Sequence, residues 1–243
     1  MILVFHNAAS RGFANHGWLQ ANHSFSFANY YDPKKMNFGA LRVLNDDLIA
    51  PSMGFGTHPH DNMEIITIPL SGLLKHKDSM GNSWEEVKAG EVQVMSAGTG
   101  IQHSEINGSA SESLSLFQIW IVPNKKNVTP RYDQQYFEQS QDGELQVLVA
   151  SIDDASTDSS LKIHQDAQIS RINLSANKSF EYTLKSSNHG VYVMQVFGVS
   201  KIGSTEINTR DAVEISEVEN FKVDVLEDSQ LLFIEVPVTF DES

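Results

Sequence analysis

The chain has 243 residues, 40% hydrophobic and 20% charged, which allows one large β domain or two smaller ones and excludes wholesale disorder. The formal net charge of −14 repels phosphate backbones, so we expect no direct nucleic-acid partner. Because there is no cysteine, disulfides, thiolate metal sites and a cysteine nucleophile are all excluded. No signal-peptide pattern opens the chain and no apolar run has the length of a membrane span, so we expect a cytoplasmic protein that does not bind membranes.

Short apolar runs recur along the chain with turn-forming residues between them. Each run has the composition of a β-strand, and glycine, asparagine and serine dominate the intervening segments. The runs are residues 38–44, 63–72, 90–98, 114–122, 145–151, 191–198 and 229–237. Many strands at regular spacing predict a β-barrel or a β-sandwich.

A polar segment at residues 125–144 separates two β-rich halves. Helical periodicity is scarce elsewhere, and residues 131–139, RYDQQYFEQ, form the best short helix candidate in the chain. We therefore predict a connection here between two β-barrels of similar size.

The stretch GFGTHPHDNMEIITIPLSG, residues 54–72, carries two histidines one residue apart. Side chains two apart on a strand point the same way, about 6.5 Å apart at Cα, so His58 and His60 can reach one ion. By the same alternation, Asn62 and Glu64 are expected on that face. Pro59 cannot donate to a β-ladder, which predicts an edge strand, a strand start or a bulge on the barrel rim.

A second pair, His103 and Glu105, follows in SAGTGIQHSEING, residues 96–108. The glycines at 98 and 100 permit a tight turn that would direct this pair towards the first. Three imidazoles and a carboxylate suit Fe(II), Mn, Ni, Cu, Co or Zn, and four ligands on an octahedral ion leave positions open for a reactant. The alternative interpretation is that the histidines are surface or hydrogen-bonding residues, the commoner fate of an isolated H-x-H.

Five motifs together resemble the pirin family of the cupin superfamily, and most closely its bacterial quercetin dioxygenase-like members. They are ANHGWLQANHSFSFANYYDP, NDDLIAPSMGFGTHPHDNMEIIT, HKDSMGN, MSAGTGIQHSE and TPRYDQQYF. The resemblance implies an all-β bicupin, two antiparallel β-barrels packed face to face with few short helices. Residues 1–132 would form the metal-binding domain and residues 133–243 a metal-free one, since the second half has only His164 and His189 and no H-x-H.

The resemblance also implies roles for individual residues. The metal ligands would be His58, His60, His103 and Glu105, holding one divalent transition metal ion, with Fe(II) expected first and Mn, Ni, Co, Cu or Zn left open. In other cupins the fourth metal ligand is the glutamate of the first motif, which is Glu64 here. In pirins the carboxylate ligand comes from the second motif instead, so Glu64 is expected beside the site and not on the metal. We expect Glu105 or Glu64 to act as the general base. The expected pocket residues are Phe55, Gln118 and Phe25, although core packing is the competing interpretation for Phe25.

The activity that the resemblance implies is cleavage of a flavonol such as quercetin with O2 and release of carbon monoxide. The expected partners are therefore a small aromatic substrate and O2, and the chain is expected to act as a monomer. Two alternatives remain open: a metal-binding, redox-responsive regulatory protein of the pirin type, and a cupin enzyme that acts on another small molecule.

Overall fold

Alternating apolar residues form 22 strands in the computed structural model, which describes residues 1–81, 83–157 and 159–239. Within those ranges the helices are two 3-10 turns, Ala8–Ser10 and Ala155–Thr157. None of the helices described there has the length and apolar character needed to cross a bilayer. Each of the seven apolar runs that predicted a strand contains one or overlaps one, so the all-β prediction is confirmed.

Eleven strands of the first half form two facing sheets. Strands β12, β9, β6, β11, β4, β3 and β2 make a seven-stranded sheet, and β5, β10, β7 and β8 make a four-stranded one. The first twelve strands of the chain are β1 (Ile2–His6), β2 (Gly12–Asn15), β3 (Leu19–His23), β4 (Leu41–Ile49), β5 (Gly54–His60), β6 (Glu64–Ser71), β7 (Leu73–Asp78), β8 (Glu85–Lys88), β9 (Glu91–Ser96), β10 (Ile101–Asn107), β11 (Leu114–Ile121) and β12 (Arg131–Tyr136).

The second half repeats this arrangement. Its seven-stranded sheet runs β1, β20, β17, β22, β15, β13 and β14, and its four-stranded sheet runs β16, β21, β18 and β19. Its own strands are β13 (Gln146–Ser151), β14 (Leu161–Ile163), β15 (Gln168–Leu174), β16 (Ser179–Thr183), β17 (His189–Phe197), β18 (Val199–Ile202), β19 (Thr205–Asn208), β20 (Ala212–Ser216), β21 (Asn220–Val225) and β22 (Ser229–Pro237). Among the described pairs, β13 with β14 is parallel and the others are antiparallel.

The two barrels share one apolar core between their seven-stranded sheets. Ile66 and Phe117 from the first half belong to the same buried cluster as Ile169, Tyr192 and Ile234 from the second. Separate clusters fill the interior of each barrel. The expected face-to-face packing of two barrels is therefore present, and it follows from strands that are apolar on both sides.

Two strands cross the predicted boundary between the halves. β1 pairs with β20, so the first strand of the chain completes the second barrel. β12 pairs with β9 along its whole length and belongs to the first barrel. The division at residues 132 and 133 stays a prediction, and the sheet pairing favours a boundary after Tyr136.

The helix prediction for residues 131–139 is wrong. Residues Arg131–Tyr136 form β12, because the exposed edge of β9 offers unpaired backbone groups and β12 satisfies them from Ser96 to Glu91. Pairing at a sheet edge overrides the weak helical preference of a polar segment.

Candidate metal centre

Neighbouring strands bring the two histidine motifs together. β5 pairs antiparallel with β10, so that His103 lies opposite His58 and Ile101 opposite His60. β5 is an edge strand, which accommodates Pro59 as predicted, although the H-x-H closes the strand rather than opening it. The register alone places the imidazoles on one side of a two-stranded ladder.

Two left-handed glycines make the turn that leads from β9 into β10. Gly98 has φ +48° and Gly100 has φ +132°, and a Cβ on Gly98 would lie 2.0 Å from the carbonyl oxygen of Val128. The backbone N–H of Asn62 donates to the Gly98 carbonyl at 2.9 Å, which joins this turn to the loop after β5. Glycine is therefore required at 98, and the predicted tight turn is confirmed.

Three imidazole rings converge at this place. One ring nitrogen from each of His58, His60 and His103 lies within 4.8 Å of the others. The Nε2 atoms of His60 and His103 are 3.0 Å apart. Two ligands at right angles around an ion, each bound at about 2.0–2.1 Å, are also about 3 Å apart, so this separation suits a shared metal ion.

Hydrogen bonding and burial leave these nitrogens with lone pairs. Nδ1 of His58 is 2.8 Å from the carbonyl oxygen of Gly56, which accepts only, so Nδ1 carries the hydrogen and Nε2 is free. Burial, reinforced by neighbouring His58, lowers the pKa of His60 to about 4. Burial and the other three nearby imidazoles lower the pKa of His103 to about 2. Both rings are neutral at neutral pH, which is the form that binds metal ions.

A buried carboxylate lies beside His103. Gln118 Nε2 donates to Glu105 Oε2 at 3.3 Å, and Thr67 Oγ1 donates to Gln118 Oε1 at 3.2 Å. Burial raises the pKa of Glu105 to about 7, and its Oε1 is buried without a hydrogen-bond partner. An orphaned carboxylate oxygen is costly unless a cation or a proton compensates it, so Glu105 fits a metal-binding role.

The structure also places a fourth histidine, His76, beside this group, although no motif in the sequence singles it out. His76 lies opposite Glu105 in the register of β7 and β10, and its ligand nitrogen is within 4.8 Å of those of His103 and Glu105. Its Nδ1 is 3.2 Å from Gln93 Nε2 and its Nε2 is 3.2 Å from Asp78 Oδ2. Because both ring nitrogens are engaged, His76 offers no free lone pair, and His58 and His60 are the better partners for His103 and Glu105.

Glu64 does not join this group, contrary to the expectation from alternation. Asn62 has φ +44°, and the turn that it makes between β5 and β6 breaks the alternation. Glu64 lies on the opposite face of β6 from Thr67, accepting a 2.6 Å hydrogen bond from Ser96 Oγ and another from the backbone of His164. A role for Glu64 as the general base is therefore not carried further.

The three predicted pocket residues have different positions. The Phe55 ring is 6.5 Å from that of His58, because the register of β5 and β10 shifts between them and puts both on one side. Gln118 contacts Glu105 as described above. Phe25 is buried between the barrels with its ring 5.6 Å from that of Tyr192, so the competing interpretation of core packing is the correct one.

Trp120 also packs against the histidines, and it is not among the pocket residues expected from the sequence. Its ring lies 4.9 Å from that of His60 in an edge-to-face arrangement, and Phe27 packs on it at 5.2 Å. The indole Nε1 is buried without a hydrogen-bond partner. The signal was present in the sequence, because Trp120 follows Gln118 by two residues on β11 and shares its face.

A cavity of about 370 Å³ reaches His103 from the outer side of the four-stranded sheet. Its walls are mostly polar and include Thr57, Asp78, Gln102 and Ser104. Neither Phe55 nor Gln118 is among its lining residues, so a substrate pocket formed by those two side chains stays a prediction.

Comparisons with known proteins give the family of the chain. Residues 5–121 match the family model described as Pirin, and residues 148–236 match the one described as Quercetinase C-terminal cupin domain. The chain is 44% identical over 236 residues to a quercetin 2,3-dioxygenase of Escherichia coli K12, covering 97% of this chain and 99% of that protein. The crystal structure of YhhW from Escherichia coli superposes with a TM-score of 0.91 at 42% identity, covering 99% and 100% of the two chains. The crystal structure of bacterial pirin YhhW in complex with nickel(II) gives 0.90 at 41% identity, covering 97% and 99%. This chain belongs to the pirin family.

Proposed function

We propose that this chain is a metal-dependent dioxygenase that opens the heterocycle of a flavonol such as quercetin with O2 and releases carbon monoxide. The observation that supports it most is the convergence of three imidazoles beside a carboxylate oxygen that has no partner. The relative of Escherichia coli named quercetin 2,3-dioxygenase matches nearly the whole chain, which supports an oxygenase over other metal-dependent activities.

His58, His60, His103 and Glu105 would hold the ion, and their mixture of nitrogen and carboxylate donors suits a divalent transition metal better than Ca²⁺ or Mg²⁺. Fe(II) is our first choice; nickel stands in the complex of the Escherichia coli pirin, and Mn, Co, Cu and Zn remain open. Such an ion, with open positions, would supply Lewis acidity to a bound hydroxyl and a place for O2 to react.

Protein groups around the ion would accept a proton, contact the substrate rings and donate a hydrogen bond to the substrate. Besides holding the ion, the Glu105 carboxylate would accept the proton of the flavonol 3-hydroxyl, and the hydrogen bond from Gln118 to Oε2 positions it. Trp120 and Phe55 supply flat apolar surfaces on either side of the histidines, suited to an aromatic ring system. The indole N–H of Trp120 is a donor for a polar group of the substrate.

The test uses purified protein loaded separately with each of the six ions under exclusion of air. Quercetin and O2 are then added, and the loss of flavonol absorbance is followed together with carbon monoxide release. We expect turnover with at least one ion and none after chelation. Absence of carbon monoxide with all six ions would contradict the proposal.

Single substitutions test which residues bind the metal and which carboxylate is needed for turnover. His58→Ala and His103→Ala should each lose stoichiometric metal, whereas His164→Ala should keep it. Metal analysis of the three purified variants tests this. Glu105→Gln and Glu64→Gln form a matched pair, because both carboxyls are buried but only Glu105 lies beside the histidines. Glu105→Gln should lose turnover and Glu64→Gln should retain it.

The alternatives predict different outcomes of the same assays. A cupin enzyme with another substrate would bind metal at the four residues and leave quercetin unchanged. A redox-responsive regulator would also leave quercetin unchanged and would bind a protein partner differently with oxidised and reduced iron. The expectations of a monomer, of a cytoplasmic location and of no nucleic-acid partner stay predictions.

A further inference from the structure

A cavity of about 280 Å³ lies between the two barrels, and none of its lining residues belongs to the candidate metal centre. β6, β11 and β12 form one side of it, and β13, β15, β17 and β22 form the other. The apolar walls are Ile68, Phe117, Phe137, Leu148, Val196 and Leu232. The exposed side chains of Tyr136 and Gln139 stand at its edge, where the cavity opens to solvent.

One guanidinium group, that of Arg171, lines this cavity together with the apolar side chains and the amides of Gln139 and Gln230. Arg171 lies in the middle of β15, opposite Gln146 on one side and Leu232 on the other. Its Nε donates to Gln146 Oε1 at 2.8 Å and one Nη donates to the carbonyl oxygen of Phe137 at 2.9 Å. A guanidinium has five N–H donors, so these two neutral acceptors leave most of its capacity unused.

Arg171 has no carboxylate partner, whereas three of the other four arginines have one and Arg42 donates to two backbone carbonyls. Arg11 and Arg210 both pair with Asp46, and Arg131 pairs with Asp133. In the parts of the chain that the structure describes, no carboxylate oxygen lies within 4.0 Å of a nitrogen of Arg171, and no acidic side chain lines the cavity. A partly buried charge that lacks an opposite charge is costly, and an anionic ligand would offset that cost.

The walls and the size define the ligand. A carboxylate pairs with a guanidinium through two parallel hydrogen bonds, and the lining residues Phe117 and Phe137 give an aromatic group apolar contacts. The volume is near the lower end of the range of about 300–1,000 Å³ found for small-molecule sites, which suits a single ring. We propose that the cavity between the barrels binds a small aromatic monocarboxylate of the cinnamate type through Arg171. This proposal does not rest on the proposed oxygenase activity.

The test is calorimetric titration of the full-length protein with cinnamate, before and after removal of metal. We expect one saturable site in both forms. Cinnamamide, which has the same ring but no charge, should bind at least about 10-fold more weakly, as expected for the loss of a charge-assisted hydrogen bond. Arg171→Met should weaken cinnamate binding by a similar factor, and the control Lys201→Met, which removes an exposed positive charge from β18, should leave it unchanged.

A second variant keeps the test decisive if Arg171→Met does not fold. Leu70 lines the cavity and is only partly buried, so Leu70→Trp should fill the space while keeping the arginine in the sequence, and should abolish binding. Absence of cinnamate binding to the native protein would overturn the proposal. It would also be overturned if cinnamamide bound equally well, if Leu70→Trp bound normally, or if binding disappeared with the metal, since the ligand would then belong to the metal centre.

Discussion

Replacement of Glu64 by glutamine should change how the stability of the metal-free protein depends on pH. The side chain of Glu64 is 1% exposed, and burial raises its pKa from 4.5 to about 7 despite the hydrogen bond from Ser96. At about pH 5 the folded protein holds this proton, whereas the unfolded chain has mostly released it, so protonation stabilises the fold. That contribution is fully present below the unfolded pKa and is lost as pH rises through the folded pKa.

The magnitude follows from the shift, because one pKa unit corresponds to about 1.4 kcal/mol. Between about pH 5 and about pH 8, the native protein should lose about 2–3 kcal/mol of unfolding free energy that the glutamine variant keeps. Urea unfolding of both proteins at the two pH values measures this difference. Glu206→Gln makes the same chemical change at an exposed position and serves as the control. Parallel pH profiles for the native protein and Glu64→Gln would refute the reasoning.

Three other predictions concern the metal centre and its supporting turn. Gln118→Leu removes the donor that holds Glu105 and should weaken metal binding by about 10–100-fold, measured by competition with a chelator; an unchanged affinity would contradict it. Gly98→Ala should lower the unfolding free energy by about 1–3 kcal/mol or more, because φ is positive and the new Cβ would meet Val128. Gly56→Ala has open space and should cost little, so equal midpoints for the two variants in thermal unfolding would count against this account. Saturation with metal at about 100 times its Kd should raise the unfolding free energy by about 2.7 kcal/mol. If a chelator leaves the midpoint of urea unfolding unchanged, metal binding to the folded state is excluded.

Local sequence pattern was enough to predict seven of the 22 strands in the described residues. The runs at residues 114–122 and 229–237 coincide within a residue with β11 and β22, since a continuous apolar stretch bounded by turn residues is typical of a strand buried on both faces. The segment at 131–139 was misread because its composition is polar and its strand character comes from pairing with β9. Edge pairing is a long-range property, and no window of the sequence contains it.

Some features of the candidate site also follow from local sequence, whereas others depend on long-range pairing of strands. The sequence by itself determined that His58 and His60 point the same way and that Gly98 allows the following turn, because both depend on neighbouring residues only. Only the tertiary structure decided that His103 lies opposite His58, that His76 lies beside Glu105 and that Phe25 packs between the barrels.

Glu64 shows most clearly why local sequence could not place every side chain of the site. Alternation along a strand assigns faces only while the backbone stays extended, and the positive φ of Asn62 interrupts it between β5 and β6. The residue count from His60 to Glu64 therefore says nothing about where the carboxylate points. Which strands become neighbours, and in which register, is set by the packing of the whole barrel.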